Sequence, residues 1–334
     1  NKEIITTRFS HERDQLIANK LKAIQNKKTK KTKVKNISSI GKDFIVNVEQ
    51  TEAIKMALNE RLIVITGGPG TGKTTVISAI AKELKNKSIN FALTALTGKA
   101  ARRMSEIEGL QDVETSTIHL LLVKAEANFK PNPIDQTLII DESSMLDITL
   151  MHKLVKYMDE NTRLIFVGDV DQLPPISPGQ VFKDLIDSKK IPTIQLVDNF
   201  RQKDGKQIVI NANKIIKGIT PNLEDDLSQF EFIEENNEHR ALELVLENYL
   251  CFYKGSEDFC THTQILIPMK KGILGSFNIN KTIQKSMNRK KELLKKNDDV
   301  MIYQGDTVIQ TRNNYKLGVI NGDIGQVIDQ EIEG

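Results

Sequence analysis

The chain has 334 residues, 39% hydrophobic and 27% charged, and its 47 Lys and Arg face 44 Asp and Glu for a net charge of +3. That length suits two or three domains rather than one small core, and a near-balanced charge leaves nucleic-acid binding to the placement of Lys and Arg rather than to their total. No apolar run approaches the roughly 18 residues of a membrane-spanning helix, so no membrane partner is expected; Cys251 and Cys260, without further Cys or His at metal-ligand spacing, fit reduced thiols in the cytoplasm better than a disulfide framework or a zinc site.

Residues 1–10 carry neither the apolar core nor the cleavage site of a secretion signal, and the first residue is Asn, so the expectation is a piece of a longer polypeptide. Residues 11–25 put Leu16, Ile17, Leu21 and Ile24 on one face of a helix. Six lysines between Lys27 and Lys35 follow, and they read as a solvated linker rather than as a phosphate contact. Residues 1–42 are therefore set apart as helix and basic linker.

From Asp43 the pattern becomes α/β. Candidate strands at 62–66, 90–94, 137–140, 163–167 and 193–196 alternate with helical stretches at 75–87, 98–106, 144–159 and 178–188. That alternation predicts a parallel sheet flanked by helices, with ligand at the carboxyl ends of the strands. Two prolines in KAEANFKPNPIDQ predict a small loop or hairpin insertion near 122–136. The first domain is drawn at 43–215. Beyond it come an acidic stretch, a helical run HRALELVLENYL and a buried-type strand QILIP at 264–268, which together predict a second α/β lobe over 216–334.

The most informative segment is GGPGTGKTT at 67–75, set between the apolar run Leu62–Thr66 and a helical stretch. Glycines let backbone N–H groups converge on phosphate oxygens, and the helix presents its positive end to the same charge. This P-loop assigns Gly67, Gly68, Pro69, Gly70, Thr71, Gly72, Lys73, Thr74 and Thr75 to nucleotide binding. Lys73 is expected at the β and γ phosphates, and the Thr74 hydroxyl at magnesium.

A second apolar run, Leu138–Ile140, ends in Asp141 and Glu142. Paired acids at that place form a Walker B element, in which Asp141 holds the metal and Glu142 orients and deprotonates the attacking water. The segment GDVDQLPPI follows the strand at 163–167 and offers Gln172 as a γ-phosphate sensor, since a neutral amide can gain and lose such a contact during turnover. Arg201, in LVDNFRQ, can fork onto phosphate oxygens. Lys99, Arg102 and Arg103 open a helix after a strand, where N–H groups and basic side chains suit a phosphate backbone.

These segments, with VEQTEAI, LTALTGKAARRM, TSTIHLLL, ILIPMKKGILGSFNINKTIQ and GDTVIQTRNNYKLGVINGDIG in the same order, resemble the RecD-like group of superfamily 1 DNA helicases from Asn47 to Val327. The resemblance implies a RecA-like P-loop NTPase fold followed by the start of a second RecA-like lobe. It implies ATP and Mg²⁺ as cofactors, with Gln50 reading the adenine and Gln172 and Arg201 at the γ-phosphate. It also implies that Thr97, Lys99, Arg102, Thr117 and His119 lie along a single-strand track, with Asn313, Asn314 and Tyr315 contributing from the second lobe. Tyr315 reads equally as a base-stacking aromatic and as the close of a β-turn. His119 reads as a hydrogen-bonding residue rather than a catalyst. Leu96 stands where family members usually carry Pro, and the His-Lys-Ser-Gln-Gly and Thr-Arg segments found later in the family are not among these 334 residues, which predicts nucleotide binding with poor hydrolysis by this stretch alone.

The function so implied is an ATP-dependent helicase motor, a monomer moving 5′ to 3′ on single-stranded DNA or DNA with a single-stranded tail, in repair or recombination. The alternative is a nucleotide-gated clamp that holds single-stranded DNA without unwinding it. A GTPase switch is disfavoured, because no Asn-Lys-x-Asp element for guanine appears.

Overall fold

Six parallel strands, β1 (Leu62–Gly67), β2 (Phe91–Ala95), β3 (Thr115–Thr117), β4 (Thr137–Asp141), β5 (Arg163–Gly168) and β6 (Thr193–Leu196), form one sheet in the order β3-β2-β4-β5-β1-β6. The computed structural model describes residues 7–27, 46–127, 134, 136–197, 207–223, 230–253, 263–287, 293–297, 300–314, 317 and 319–328. It divides into two units, Asn1–Ile219 and Thr220–Gly334.

The central strands are apolar throughout because both faces of the sheet are covered. Alternate residues serve opposite layers: Leu62, Val64, Leu138, Ile140, Leu164 and Phe166 point to one, and Ile63, Ile65, Ile139, Ile165 and Val167 to the other. The first layer contains α1 (Arg8–Asn26), α5 (Ile118–Ala127), α6 (Ile148–Tyr157) and α7 (Val181–Asp187); the second contains α2 (Val48–Asn59), α3 (Lys73–Asn86) and α4 (Gly98–Ser105). Helix α8 (Gln207–Ile216) completes the described elements of this unit.

Helix α1 is part of this body. Ile17, Leu21 and Ile24 are buried in the first layer, and the Gln25 side-chain amide donates to the Lys190 carbonyl at 2.7 Å. The lysine run from Lys28 to Lys35, residues 128–133 and 135 of the expected insertion, and Cys260 lie outside the described residues, while Cys251 is an exposed free thiol. Strand β3 was not expected. Its three residues, Thr-Ser-Thr, pair with Leu93 to Ala95, give the sheet its edge and run directly into α5.

Helix α2 is fixed at both ends. Asn47 caps it with a reciprocal box, its Oδ1 accepting the Gln50 N–H at 2.8 Å while Gln50 Oε1 accepts the Asn47 N–H at 3.2 Å. At the other end the buried guanidinium of Arg163, the first residue of β5, donates to the Ala57 and Leu58 carbonyls, each at 3.3 Å. A cation at a helix C-terminus meets both the orphan carbonyls and the negative end of the dipole.

In the second unit the described elements are α9 (Glu238–Tyr253), α10 (Ser276–Met287) and two antiparallel pairs, β7 (Leu293–Asn297) with β8 (Val300–Tyr303) and β9 (Thr307–Ile309) with β10 (Ile324–Gln326). The Gln284 amide ties α10 to this region, donating to the Met301 carbonyl at 2.7 Å and to Asp306 Oδ2 at 2.6 Å. The strand expected at 264–268 is absent: these residues join no described sheet, and Leu266 is 89% exposed. An apolar pentapeptide becomes a strand only where a partner completes its hydrogen bonds, and no described strand pairs with it. No helix among the described residues is long and apolar enough to cross a membrane.

Candidate nucleotide-binding site

Strand β1 is buried along its whole length and delivers the chain to Gly67 at the carboxyl edge of the sheet. A side chain there has no room, since a Cβ on Gly67 would stand 2.6 Å from the Thr71 hydroxyl and 3.0 Å from Leu196 Cβ. Gly70 and Gly72 turn the loop in the left-handed region at φ 83 and 84, which glycine adopts without strain. Thr71 Oγ1 donates to the Gly68 carbonyl at 2.9 Å and closes the loop on itself.

Lys73 opens α3 behind Gly72, which supplies no side-chain cap. The first-turn N–H groups of α3 are therefore available to an anion. Lys73 Nζ lies over the loop, donating to the Gly67 carbonyl at 2.6 Å and the Gly68 carbonyl at 3.0 Å. A Cβ on Gly68 would meet nothing within 4 Å, so the space above the loop is open. Cation, N–H groups and open space together fit a phosphate chain.

Gln50 is 2% exposed and its amide nitrogen donates to the Thr71 carbonyl at 3.2 Å. It thus joins the cap of α2 to the P-loop. Pro69 and Thr74 are exposed beside it, and Thr75 is half-buried.

The two acids stand two strands away, because β5 lies between β1 and β4. Asp141 Oδ1 accepts the Glu142 backbone N–H at 2.8 Å, and Glu142 adopts φ 54. A left-handed non-glycine residue at a site is strain held by its surroundings. Here the surroundings are Ser143, fully buried with its hydroxyl on the Ile140 carbonyl at 2.7 Å, and Ser144, whose hydroxyl donates to Gln172 Oε1 at 3.3 Å. The chain following β5 is anchored to β1 through the Val170 N–H on Thr66 Oγ1 at 3.3 Å. Asp169 is buried there, accepting the Asp171 N–H at 3.1 Å.

Burial pushes the Asp141 carboxyl above its ordinary value, against the Glu142 N–H and the charges of Lys73 and Arg103. Burial also raises Glu142, and the neighbouring charge of Asp141 adds to it; Lys73 and Arg103 oppose the rise and Asp169 adds to it. Adjacent acids that repel each other in this way make a setting whose charge a divalent cation would relieve. Asp141 and the Thr74 hydroxyl are the donors that would hold magnesium, which would supply charge neutralisation for phosphate oxygens.

Of the residues expected at DNA, Thr97 caps α4, its hydroxyl accepting the Ala100 N–H at 3.2 Å, and Thr117 is buried with its hydroxyl accepting the Leu120 N–H at 3.2 Å. Lys99, Arg102 and His119 are exposed, and Arg102 stands 3.5 Å from Glu106. In the second unit, Asn313 and Asn314 close turns, accepting the Asn321 N–H at 2.8 Å and the Leu317 N–H at 3.3 Å. Arg201 and Tyr315 lie outside the described residues. The geometry adds two residues absent from the expected site, Thr66 and Ser144, and buries Asp169 beside them. Only Asp169 and Ser144 carried a signal, as polar residues directly after strand ends.

Residues 45–238 match the AAA domain family and residues 279–333 match the SH3 domain of ATP-dependent RecD-like DNA helicases. The chain belongs to the RecD-like superfamily 1 helicases. Among RecD-like relatives, the ATP-dependent RecD2 DNA helicase of Deinococcus radiodurans is 33% identical over 292 residues, 85% of this chain and 38% of that protein. The RecD subunit of the RecBCD enzyme of Mycobacterium tuberculosis is 29% identical over 320 residues, 84% of this chain and 55% of that protein. The chain thus spans about two fifths to a little over half the length of these RecD-like relatives. The crystal structure of the Pif1 helicase from Candida albicans aligns over 86% of this chain and 69% of its own, at 23% identity and a TM-score of 0.47. The six-stranded parallel sheet with its P-loop is the RecA-like NTPase fold of the RecD-like family.

Proposed function

We propose that the protein carrying this chain is an ATP-dependent DNA helicase motor, with ATP and Mg²⁺ as cofactors and single-stranded DNA, or DNA with a single-stranded tail, as its track. The observation that supports this reading is geometric: the P-loop with Lys73 laid over it follows β1, and the paired acids Asp141 and Glu142 follow β4, at the same carboxyl edge of one parallel sheet with only β5 between them. In this reading Lys73 is the phosphate-binding cation, Asp141 the metal-holding acid and Glu142 the water-activating acid. A protein that only binds nucleotide has no use for Glu142 held in a strained conformation next to it.

In this reading Gly67 to Thr75 cradle the phosphates and Gln50 faces the base. Gln172, held by Ser144, reports the γ-phosphate, and Arg201 assists it. Lys99, Arg102 and His119 meet the strand, with Thr97 and Thr117 shaping the helix starts that present them; Asn313, Asn314 and Tyr315 contribute from the second unit. Movement from 5′ to 3′, a part in repair or recombination, and a cytoplasmic location are supported by kinship alone.

The test is Glu142→Gln in the protein that carries the chain. The motor reading expects loss of DNA-stimulated ATP hydrolysis and of unwinding, with ATP-dependent single-strand binding retained. Strand-dependent function at the original level in the variant, with no unwinding by either protein, would favour a nucleotide-gated clamp instead. Competition of GTP with ATP at equal strength would remove adenine reading by Gln50.

A further inference from the structure

Thr71 sits between two glycines in the left-handed region, Gly70 at φ 83 and Gly72 at φ 84. Glycine takes φ of either sign at little cost, so the peptide that joins Thr71 to Gly72 can turn over unless something outside the loop holds it. The Thr71 hydroxyl does not supply that hold, because it is engaged with the Gly68 carbonyl. Lys73 acts earlier in the loop, on the Gly67 and Gly68 carbonyls.

The hold comes from Gln50, whose Nε2 donates to the Thr71 carbonyl at 3.2 Å. Gln50 is itself fixed: it is 2% exposed, its Oε1 accepts the Asn47 N–H at 3.2 Å, and it belongs to α2, which is anchored in the second layer through Ala53, Ile54, Ala57 and Leu58. A trans peptide is planar, with its carbonyl and its N–H pointing in opposite directions. Fixing the Thr71 carbonyl therefore fixes the direction of the Gly72 N–H, a donor of the kind that a phosphate-binding loop aligns. A carboxamide has two N–H groups and an oxygen with two lone pairs. One of each is engaged in these two bonds, and one of each remains for the edge of a base.

We propose that Gln50 is a positioning residue for the P-loop: by holding the Thr71 carbonyl it sets the Gly72 N–H for a phosphate oxygen, whatever base the nucleotide carries. This inference rests on the nucleotide-site reading above and gives Gln50 a part at the phosphate end of that site as well as at the base. A residue that only reads adenine has no effect on a ligand without a base, whereas a brace of the loop does.

The experiment is calorimetric titration of the protein that carries the chain with inorganic tripolyphosphate and with ATP, each with Mg²⁺, for Gln50→Met, Gln50→Asn and Asn47→Ala beside the unaltered protein. Gln50→Met keeps the length of the side chain and removes the donor; Gln50→Asn keeps an amide on a stem too short to reach Thr71. Both are expected to weaken tripolyphosphate binding about fivefold, the contribution of one neutral hydrogen bond, and ATP binding by more, because the base contact goes too. Asn47→Ala removes the side-chain cap of α2 and keeps the backbone N–H that holds Gln50 Oε1, so it is expected to lower the unfolding temperature and leave tripolyphosphate affinity unchanged. The inference is overturned if a folded Gln50 variant binds tripolyphosphate as tightly as the unaltered protein, which leaves Gln50 as a base reader alone. It is equally overturned if Asn47→Ala weakens tripolyphosphate as much as the Gln50 variants do, which assigns the loss to the helix, or if the unaltered protein binds ATP and no tripolyphosphate. If the unaltered protein binds neither, the nucleotide reading itself falls.

Discussion

The backbone N–H of Glu142 donates to the Asp141 carboxylate at 2.8 Å while Glu142 stands at φ 54. The acid expected to hold metal thereby also fixes the backbone of the acid expected to activate water. The turn that aims Glu142 is one an L-residue adopts at a cost of about 1 to 2 kcal/mol, and the carboxylate it carries is half-buried and repelled by the charges of Asp141 and Asp169.

Glu142→Gly should therefore stabilise the first unit while ending hydrolysis. Glycine relieves the left-handed strain and removes a carboxylate repelled by Asp141 and Asp169, against a smaller loss in chain entropy. Thermal or urea unfolding is expected to show a gain of about 1 kcal/mol. A loss of stability would mean that the Glu142 side chain holds the turn.

Ser144→Ala should lower kcat by about fivefold with little change in KM for ATP. The substitution removes the 3.3 Å bond that holds Gln172, and a neutral hydrogen bond contributes about 1 kcal/mol, equivalent to that factor in rate. Stability should stay within about 1 kcal/mol of the original. Equal effects on kcat and unfolding would point to a packing role instead.

Arg163→Met should destabilise the first unit by about 2 kcal/mol, because the Ala57 and Leu58 carbonyls lose a buried donor while the volume is roughly kept. Arg163→Lys should recover part of the loss. Denaturant midpoints at constant slope are the measurement; an unchanged midpoint for the Met variant would show that the two carbonyls find other donors.

His152, half-buried on α6, has its pKa lowered, first by burial and then by the charges of Lys156 and Arg13. The unfolded chain therefore binds the proton more readily than the folded one, so stability falls as pH drops below the unfolded value of about 6.5 and levels off below the folded one. His152→Gln should remove that component. Unfolding temperatures compared at pH 7.5 and pH 5 for both proteins should show a smaller acid-side fall in the variant; equal falls would assign the loss to other groups.

The nucleotide site was legible because its chemistry is local. Glycine at a forced turn, Lys73 at the helix start and acids after a buried strand are all set by near neighbours in the chain, and five of the six strands show as apolar runs for the same reason. Strand β3 was hidden because three polar residues at a sheet edge carry no apolar pattern. The pentapeptide at 264–268 misled in the opposite sense, since an apolar run does not say whether a partner strand exists. The segment 279–333, read as part of a second motor lobe, matches an SH3 domain; its short antiparallel strands lack the long alternation that marks a RecA-like sheet. Ser144 on Gln172 depends on a contact between separate elements, which spacing along the chain does not encode.

Gln50 grips the P-loop at one end of α2, and Arg163 grips the other end from the base of β5. Twelve helical residues span about 18 Å and six strand residues about 20 Å, so helix and strand run as matched rails of nearly equal length. Thr71 is thereby linked through Gln50 and α2 to Arg163, and β5 runs from Arg163 back to Gly168, the residue before Asp169. The P-loop and the segment after β5 are in this way tied to opposite ends of one helix and one strand, and lengthening α2 by a single turn would break one of the two ties.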